Sequence, residues 1–337
     1  NSIKKYEVIS TSIIYRGPYG AIKGNTVSLV NNFRPVDLSD GLNFYAVSDT
    51  HDFYKHVNTD TTKLDFIILG GDHASFIQRE EDLLIANKLG RRLSNGEIPL
   101  LYARGNHETK GSRFAELYQY VGSKGTDFFY SFYLNGVAGV VLDMVEDYND
   151  SWYEFYGMAD YTNYRLRQLD FLDDLYSSYK FEEASVRFRL AISHVPITVL
   201  NKNDQIKNHK ELFTESLNRF NLNMLVSGHK HILVPVLVQG KTNEEVNVAY
   251  AKTYGTILKN GSIINANFNA FIISKRTYKQ GLGWDENEFG KYMIGMITGV
   301  SFINSEITIS YINNKKEVVP VLDPYSELLE NSFTFEL

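Results

Sequence analysis

The sequence has no cysteine among its 337 residues, which excludes disulfide bonds and thiolate metal sites. Any bound metal ion must therefore use imidazole, carboxylate or amide ligands. No stretch approaches the roughly 18 consecutive apolar residues of a membrane-spanning helix, and the first residues lack the apolar segment of a signal peptide. Proline is scarce as well, at 7 residues, and no repeat or low-complexity linker divides the chain. The sequence therefore predicts no membrane span.

Neither sign of charge is in large excess, since 34 basic residues face 40 acidic ones. The net charge of -6 argues against a general nucleic-acid surface. A hydrophobic content of 43% with 22% charged residues is ordinary for a globular protein, so extensive disorder is not expected. The lack of cysteine and of an initial methionine favours an exported or cell-envelope bacterial protein that has lost an upstream segment, and a cytoplasmic location stays open.

Predicted strands that end in polar residues alternate with predicted helices, an order that is typical of α/β folds. The predicted strands are 42–47, 64–69, 100–103, 187–193 and 222–226, and the predicted helices are 80–89, 164–179 and 211–220. In the second helix Leu166, Leu169 and Leu172 recur at helical spacing, so we expect them to face a sheet.

The dipeptide Asn135-Gly136 lies between two β-prone segments and is a strong hairpin signal, which adds an antiparallel portion to the sheet. Further β-prone segments are 6–15, 26–33, 246–250, 268–274, 293–302 and 306–312. We predict three parts, namely a β extension over 1–38, a main domain over 39–322 and a polar surface tail over 323–337. The extension is expected to be an edge hairpin of the main domain, with the remnant of an upstream β domain as the alternative.

Residues able to bind metal follow all five of the predicted strands that end in polar residues. They are Asp49, His51, Asp72, Asn106, His194, His229 and His231. The carboxyl ends of parallel strands meet at one edge of an α/β sheet, so these side chains can converge despite their separation in sequence. Imidazole, carboxylate and amide ligands together suit Zn, Mn or Fe(II). Seven ligands are too many for one ion, which predicts two divalent ions that share a carboxylate.

The other histidines carry weaker signals. His56 and His209 lie away from any strand end, and for them a structural role is expected. His73 directly follows Asp72 and is a candidate to line a substrate pocket, with a structural role equally open. Arg104, two residues before Asn106, is the second candidate for substrate contact.

Together these residues form an ordered set of motifs that resembles the calcineurin-like metallophosphoesterase superfamily over residues 42–231. The motifs are Asp49-Thr50-His51, Gly71-Asp72, Gly105-Asn106-His107-Glu108, His194 and Gly228-His229-Lys230-His231. The resemblance implies a two-sheet β-sandwich core flanked by α-helices, with residues 39–322 as the catalytic domain. It also implies that Asp49, His51 and His231 hold one metal, that Asp72 bridges, and that Asn106, His194 and His229 hold the other. His107 would not be a ligand but would protonate the leaving oxygen or stabilise the transition state.

Two narrower groups of the superfamily fit less well. The purple acid phosphatases are similar in outline, but they have glycine where His51 stands and a tyrosine ligand where this chain has Ser75. A coloured Fe(III) centre is therefore not expected. The protein Ser/Thr phosphatases share the Arg104–Glu108 motif but carry an arginine-containing block that is missing after Asp72, so protein phosphatase activity is not assigned.

The resemblance implies hydrolysis of a phosphate ester by a hydroxide that bridges two divalent ions of Mn, Zn or Fe. A small phosphomonoester is the expected substrate. The alternatives are a phosphodiester or nucleotide substrate and, in another class, a non-catalytic scaffold. Neither nucleic acid nor a protein partner is implied. An aromatic-rich segment over 147–164 could stack on a nucleoside or aryl ester, but packing within its own domain is favoured.

Overall fold

The computed structural model describes residues 4–121, 125–178, 180–273, 278–279, 283–284 and 293–337. The strands of this part are β1 (Lys5–Gly17), β2 (Gly20–Asn32), β3 (Leu42–Val47), β4 (Phe66–Leu69), β5 (Leu100–Tyr102), β6 (Tyr130–Leu134), β7 (Val137–Leu142), β8 (Phe188–Ser193), β9 (Val199–Leu200), β10 (Met224–Ser227), β11 (Val234–Val236), β12 (Ser262–Ile263), β13 (Asn269–Ile272), β14 (Tyr278–Lys279), β15 (Gly283–Trp284), β16 (Gly295–Ser301), β17 (Glu306–Ile312), β18 (Val321–Leu322), β19 (Leu329–Glu330) and β20 (Phe333–Glu336). The α-helices are α1 (Glu80–Leu83), α2 (Ile85–Ser94), α3 (Tyr161–Ser177), α4 (Lys207–Asn218) and α5 (Asn243–Tyr254).

Two six-stranded mixed sheets form the centre of the fold. The first sheet has the order β20-β17-β16-β3-β4-β5, and the second has the order β11-β13-β10-β8-β7-β6. Strands β3, β4 and β5 are parallel in the first sheet, and β7, β8, β10 and β13 are parallel in the second. Each sheet thus has a parallel portion whose strands end at one edge.

The two sheets pack face to face and are covered by helices on their outer faces. Phe44 of β3 stacks on Phe66 of β4 and lies near Phe188 of β8 between the sheets. The next residue, Tyr45, points to the opposite face, where it packs in the same cluster as Leu89 of α2. Helices α3, α4 and α5 cover the second sheet in the same way. The predicted β-sandwich flanked by helices is confirmed, and burial on both faces explains the continuous apolar strands.

The Asn135-Gly136 hairpin is confirmed. It joins β6 to β7, and both turn residues have positive φ angles, 45° for Asn135 and 96° for Gly136. Positive φ at both central positions is the signature of the type I′ turn, which these residue types accommodate.

The strand predicted at 246–250 is wrong, because these residues lie in α5. Thr242 and Glu245 form a capping box at its start, in which Glu245 N–H donates to Thr242 Oγ1 at 3.2 Å. Val246 and Tyr250, four residues apart, then lie on one buried face. The helical spacing of these two residues outweighs their β-prone side chains.

Helix α3 packs on the sheet as predicted, through Leu172 and the partly buried Leu169, but its buried face also includes polar residues. Leu172 is buried as expected, but Leu166 is exposed, and Arg165 and Gln168 are buried instead. Gln168 Nε2 donates to the carbonyl of Asp143 at 2.7 Å, so these polar side chains bind the backbone that follows β7. The last residues of two predicted elements, Tyr179 and Ser274, lie outside the described residues.

The two ends of the chain differ from the sequence expectation. Strands β1 and β2 form a two-stranded hairpin that pairs with neither six-stranded sheet, so they are not edge strands, and the division of the chain into three parts stays a prediction. Near the C-terminus, where a surface tail was expected, β20 pairs with β17 and Phe333 is buried in the inter-sheet core. Among the described residues, no helix is long and apolar enough to cross a membrane.

Candidate metal centre

Three groups of potential ligands lie at the carboxyl edge shared by the parallel strands. They are Asp49 with His51 and His231, Asp72 with His194 and His229, and His51 with Asp72 and His107. The donor atoms within each group lie within 4.8 Å of one another. We call the first group the first metal position and the second group the second metal position. The structure thus brings together residues that follow β3, β4, β5, β8 and β10.

Asp72 lies between the two positions. Its Oδ2 is 3.1 Å from Nε2 of His194 and 3.8 Å from Nε2 of His51. Burial alone would raise the pKa of Asp72, but the imidazoles of His194, His107 and His51 outweigh burial and lower it. Asp72 therefore stays ionised, as a carboxylate that two cations share must be.

The donor set fits a cation, as His194 shows. Its Nδ1 donates to the carbonyl of Gly70 at 2.7 Å, which directs the Nε2 lone pair towards Asp72. The Nε2 atom is buried and lacks hydrogen-bond geometry with the carboxylate oxygen 3.1 Å away. Burial would lower the pKa of His194, but Asp72 and Asp49 raise it to about 10. Two lone pairs that face each other at this distance repel. A proton or a metal ion between Nε2 of His194 and Oδ2 of Asp72 would remove this repulsion.

Asn106 joins the second metal position through its side-chain oxygen. Its Oδ1 lies 3.1 Å from Nδ1 of His229. Asp49, at the first position, accepts the backbone N–H of His229 at 3.0 Å, so the two positions are also tied through the loop after β10. All seven predicted ligands are accordingly near neighbours.

The backbone at these strand ends has an unusual conformation. Five of the seven predicted ligands have left-handed φ angles, namely Asp49, His51, Asp72, His229 and His231. Such angles are uncommon outside glycine, although Asp and His tolerate them better than most residues. Clustering of left-handed residues is a feature of functional sites, where the surrounding structure holds the strained backbone.

Gly105 is required because no other residue type fits in the space beside Asp72. Its φ is not among the positive values, but a Cβ at this position would clash with the Asp72 carboxylate and its backbone nitrogen. Gly228 has the same role, because its Cβ would meet Ser48 and Asp49. The strand ends approach so closely that only glycine fits.

Glu108 fixes the loop that carries Asp72. Its two carboxylate oxygens accept backbone N–H groups from Asp72 at 2.8 Å, His73 at 2.6 Å, Ala74 at 3.1 Å and Gly105 at 2.9 Å. The side chain is buried and joins the ends of β4 and β5. Glu108 therefore holds the bridging carboxylate in place without reaching the metal positions itself.

His107 differs from the ligands in its exposure and its contacts. It is half-buried, and its Nδ1 donates to the carbonyl of Ser75 at 2.9 Å, which leaves Nε2 available on the other side of the ring. The ring meets that of His51 edge-on, with centroids 4.6 Å apart. Because His107 also belongs to one of the three ligand groups, its predicted role as a proton donor stays a prediction.

The two residues predicted to contact substrate, His73 and Arg104, make contacts within the domain. His73 is fully buried, with Nδ1 3.2 Å from Oγ1 of Thr50. Arg104 donates from Nε to Asp143 at 2.8 Å and lies over the ring of Phe128 at 4.2 Å. These contacts hold both side chains within the domain, and a substrate role for either residue stays a prediction.

Two carboxylates near the second metal position were missed in the sequence. Glu146 accepts from Nδ2 of Asn106 at 2.8 Å, and Asp147 lies 2.9 Å from Nε2 of His229. Burial would raise the pKa of Asp147, but Lys210, His229 and Lys230 hold it well below its ordinary range. The signal that could have identified them is topological, because β7 is parallel to β8 and ends at the same edge.

Comparisons with known proteins agree with this geometry. The model of the calcineurin-like phosphoesterase family matches residues 42–233, which contain all seven predicted ligands. No curated protein sequence matches the chain. One similar solved structure is GAP50, described as the anchor in the inner membrane complex of Plasmodium, with a TM-score of 0.51, 12% identity and 89% coverage of both chains.

A second similar structure is purple acid phosphatase PPD1 from seeds of yellow lupin (Lupinus luteus), with a TM-score of 0.51 and 12% identity. The alignment covers 98% of this chain and 59% of the lupin protein, so this chain spans about three fifths of that phosphatase. Both likenesses concern the fold. The match of the family model extends over more than half of the sequence, and the chain therefore belongs to the calcineurin-like phosphoesterase family.

Proposed function

We propose that the chain hydrolyses phosphate esters, preferably monoesters, with two divalent ions held at the first and second metal positions. The observation that carries the proposal is the place of Asp72, whose Oδ2 faces His194 at 3.1 Å and His51 at 3.8 Å. Manganese, zinc or Fe(II) suits the mixture of ligands. Bound ions would supply activation of water and neutralisation of the charge on the phosphoryl group.

Different residues would bind the ions and transfer the proton. Asp49, His51 and His231 would hold the first ion, Asn106, His194 and His229 would hold the second, and Asp72 would contact both. His107 would donate a proton from Nε2 to the leaving oxygen, because Ser75 holds its Nδ1 on the far side of the ring. Its partial exposure supports a position facing the substrate.

The preference for monoesters is supported by a further cation. Lys110 is partly exposed, and its Nζ lies 3.2 Å from Glu146, which in turn contacts Asn106 of the second metal position. A monoester carries up to two negative charges on its phosphoryl group and a diester only one. An extra ammonium group beside the site favours the more highly charged substrate.

The test is hydrolysis of p-nitrophenyl phosphate and bis(p-nitrophenyl) phosphate by protein reconstituted with Mn, Zn or Fe(II). We expect turnover that requires metal and is faster with the monoester. Metal-loaded protein that cleaves neither ester would contradict the proposal, and faster cleavage of the diester would change the substrate class to phosphodiesters.

A non-catalytic anchoring role is the second candidate function. It is favoured by the exposed apolar side chains of the β1–β2 hairpin and is compatible with the described role of GAP50 in a membrane complex. The complete ligand set with His107 supports catalysis instead. Absence of both bound metal and turnover, with intact folding, would favour the anchor.

A further inference from the structure

We propose that Glu146 and Asp147, the consecutive carboxylates after β7, position two ligands of the second metal position. This inference rests on the proposed function, because it concerns how the metal centre is held. His229 has a contact on each of its two ring nitrogens. Its Nε2 is 2.9 Å from Oδ2 of Asp147, whereas Nδ1, on the same ring, is 3.1 Å from Oδ1 of Asn106.

The Asp147 contact selects one tautomer of His229. A carboxylate acceptor keeps a proton on Nε2, so Nδ1 is the nitrogen that faces Oδ1 of Asn106, and a bound cation would take the place of the proton in their hydrogen bond. Metal-binding histidines commonly have such a carboxylate partner on the second ring nitrogen, and it fixes both the tautomer and the ring orientation. Asp147 thereby prepares His229 to bind a cation through Nδ1.

Glu146 has the matching effect on Asn106. The side-chain amide of Asn106 could point either its oxygen or its nitrogen at His229. Its Nδ2 donates to Oε2 of Glu146 at 2.8 Å, so Oδ1 must face the other way, towards Nδ1 of His229. One carboxylate thus orients the amide ligand and its neighbour in sequence orients the imidazole ligand.

The segment that carries both carboxylates is held by buried cations. Arg165 of α3 is fully buried and donates to the carbonyls of Met144 at 3.0 Å and Glu146 at 2.7 Å. Lys210 of α4 is also fully buried and lies 3.2 Å from Asp147 and 2.7 Å from Asp204. These contacts explain why polar residues occupy the buried faces of two helices.

The experiment is titration of metal-free protein with Mn(II), followed by calorimetry and electron paramagnetic resonance. In Asp147→Ala and in Glu146→Ala we expect one of two binding events to weaken about 10- to 100-fold, while the other is unchanged. The spin-coupled signal of a pair should give way to that of a single ion. Glu146→Gln retains an acceptor oxygen for Asn106 and should restore binding, which a loss of folding would not allow.

Two matched controls separate positioning from general electrostatics. Asp204→Asn removes the other carboxylate partner of Lys210, and Lys110→Met removes the ion pair with Glu146, but neither touches a ligand. Both should keep two tight binding events. Equal weakening in Asp204→Asn, or wild-type affinity in Asp147→Ala, would overturn the inference. If the wild-type protein itself bound no metal pair, the proposed function would fail instead.

A different observation concerns the β1–β2 hairpin, and it is independent of the metal centre. The hairpin is joined to the domain near its base, where Tyr6 Oη donates to the carbonyl of Gly96 at 2.7 Å. Val8 and its cross-strand partner Leu29 are 49% and 45% exposed on one face, and Ile9 is 62% exposed on the other. A two-stranded ribbon with apolar side chains exposed on both faces is unfavourable in water.

The charge of the hairpin differs from that of the rest of the chain. Residues 8–36 contain no aspartate or glutamate, whereas the whole sequence has 40. The tip carries Arg16 and Lys23, together with the exposed side chains of Ile14, Tyr15, Tyr19 and Ile22. Tyrosine favours the boundary between water and lipid, and basic residues are attracted to anionic headgroups.

We infer that this tip docks onto an anionic lipid surface. A protein partner that covered one face would leave the apolar side chains of the other face in water, whereas a lipid interface surrounds both. The attraction of Arg16 and Lys23 adds to insertion of the aromatic and aliphatic side chains.

Flotation of the protein with vesicles tests this inference. We expect binding to vesicles of phosphatidylcholine with phosphatidylserine and much weaker binding to phosphatidylcholine alone. Tyr19→Ser with Ile14→Ser should abolish binding, and Arg16→Gln with Lys23→Gln should weaken it about 30-fold at low salt. Ile303→Ser, at an isoleucine 93% exposed in another turn, is the matched control and should bind like wild type. Absence of binding to either vesicle would overturn the inference, as would a hairpin-dependent dimer in light scattering.

Discussion

Replacement of His107 by alanine separates metal binding from proton transfer. The backbone N–H of His107 donates to Oδ1 of Asp72 at 2.8 Å, and alanine keeps this contact because it does not involve the side chain. The lost groups are the Nδ1–H donor to Ser75 and the Nε2 atom that faces the site. We therefore expect His107→Ala to retain the fold and both ions.

The expected loss in kcat is about 10²- to 10⁴-fold for an ester with a poor leaving group, the typical contribution of a general acid. This corresponds to roughly 3–5 kcal/mol of transition-state free energy. The loss should shrink for p-nitrophenyl phosphate, whose leaving oxygen requires little protonation, and should be larger for phenyl and alkyl phosphates.

The assay is a plot of log kcat against the pKa of the leaving group, for wild type and for His107→Ala with measured metal content. The control is Phe76→Leu. It removes the ring whose centroid lies 5.8 Å from that of His107, but this ring has no titratable group that could protonate the leaving oxygen. A defect of equal size for every leaving group, or loss of one ion in His107→Ala, would refute the assignment and place His107 among the ligands.

Three other predictions concern the support of the site. Glu108→Gln should lower the free energy of unfolding by roughly 2–6 kcal/mol in urea denaturation, because two of four buried N–H groups lose their acceptor at about 1–3 kcal/mol each. Unchanged stability would contradict the role of Glu108 in the loop. Gly105→Ala should weaken both metal positions in a Mn(II) titration, because its Cβ would displace the Asp72 carboxylate, and wild-type affinity would show that the strand ends can separate. Lys110→Met should raise KM for p-nitrophenyl phosphate more than KM for its diester, and equal effects would exclude the proposed preference of Lys110 for a doubly charged group.

The sequence predicted the alternation of strands and helices because it depends on local patterns, whereas the two-sheet sandwich followed from the resemblance that the strand-end motifs carry. Each ligand follows an apolar strand directly, so its place at the sheet edge follows from the parallel pairing of β3, β4 and β5 and of β8 and β10. The left-handed φ angles of Asp49 and Asp72 could not be anticipated in the same way. They result from the close approach of neighbouring strand ends.

Two of the failures result from tertiary contact between distant segments. Glu146 and Asp147 have no motif of their own, and their significance comes from Asn106 and His229, which lie 40 and 82 positions away. Arg165 is buried because it binds the carbonyls of this same segment, so the helical periodicity of the leucines did not predict its burial. The failure at α5 has a local cause instead, because a capping signal at Thr242 outweighed β-prone composition.

The central claim is that two metal ions share Asp72, and metal content of wild type and Asp72→Asn tests it most directly. Inductively coupled plasma mass spectrometry on protein reconstituted with Mn(II) and dialysed should give two ions per wild-type chain. Because Oδ2 of Asp72 faces both His194 and His51, Asp72→Asn should lose both ions together. A variant that loses one ion and keeps the other tightly bound would contradict the shared carboxylate.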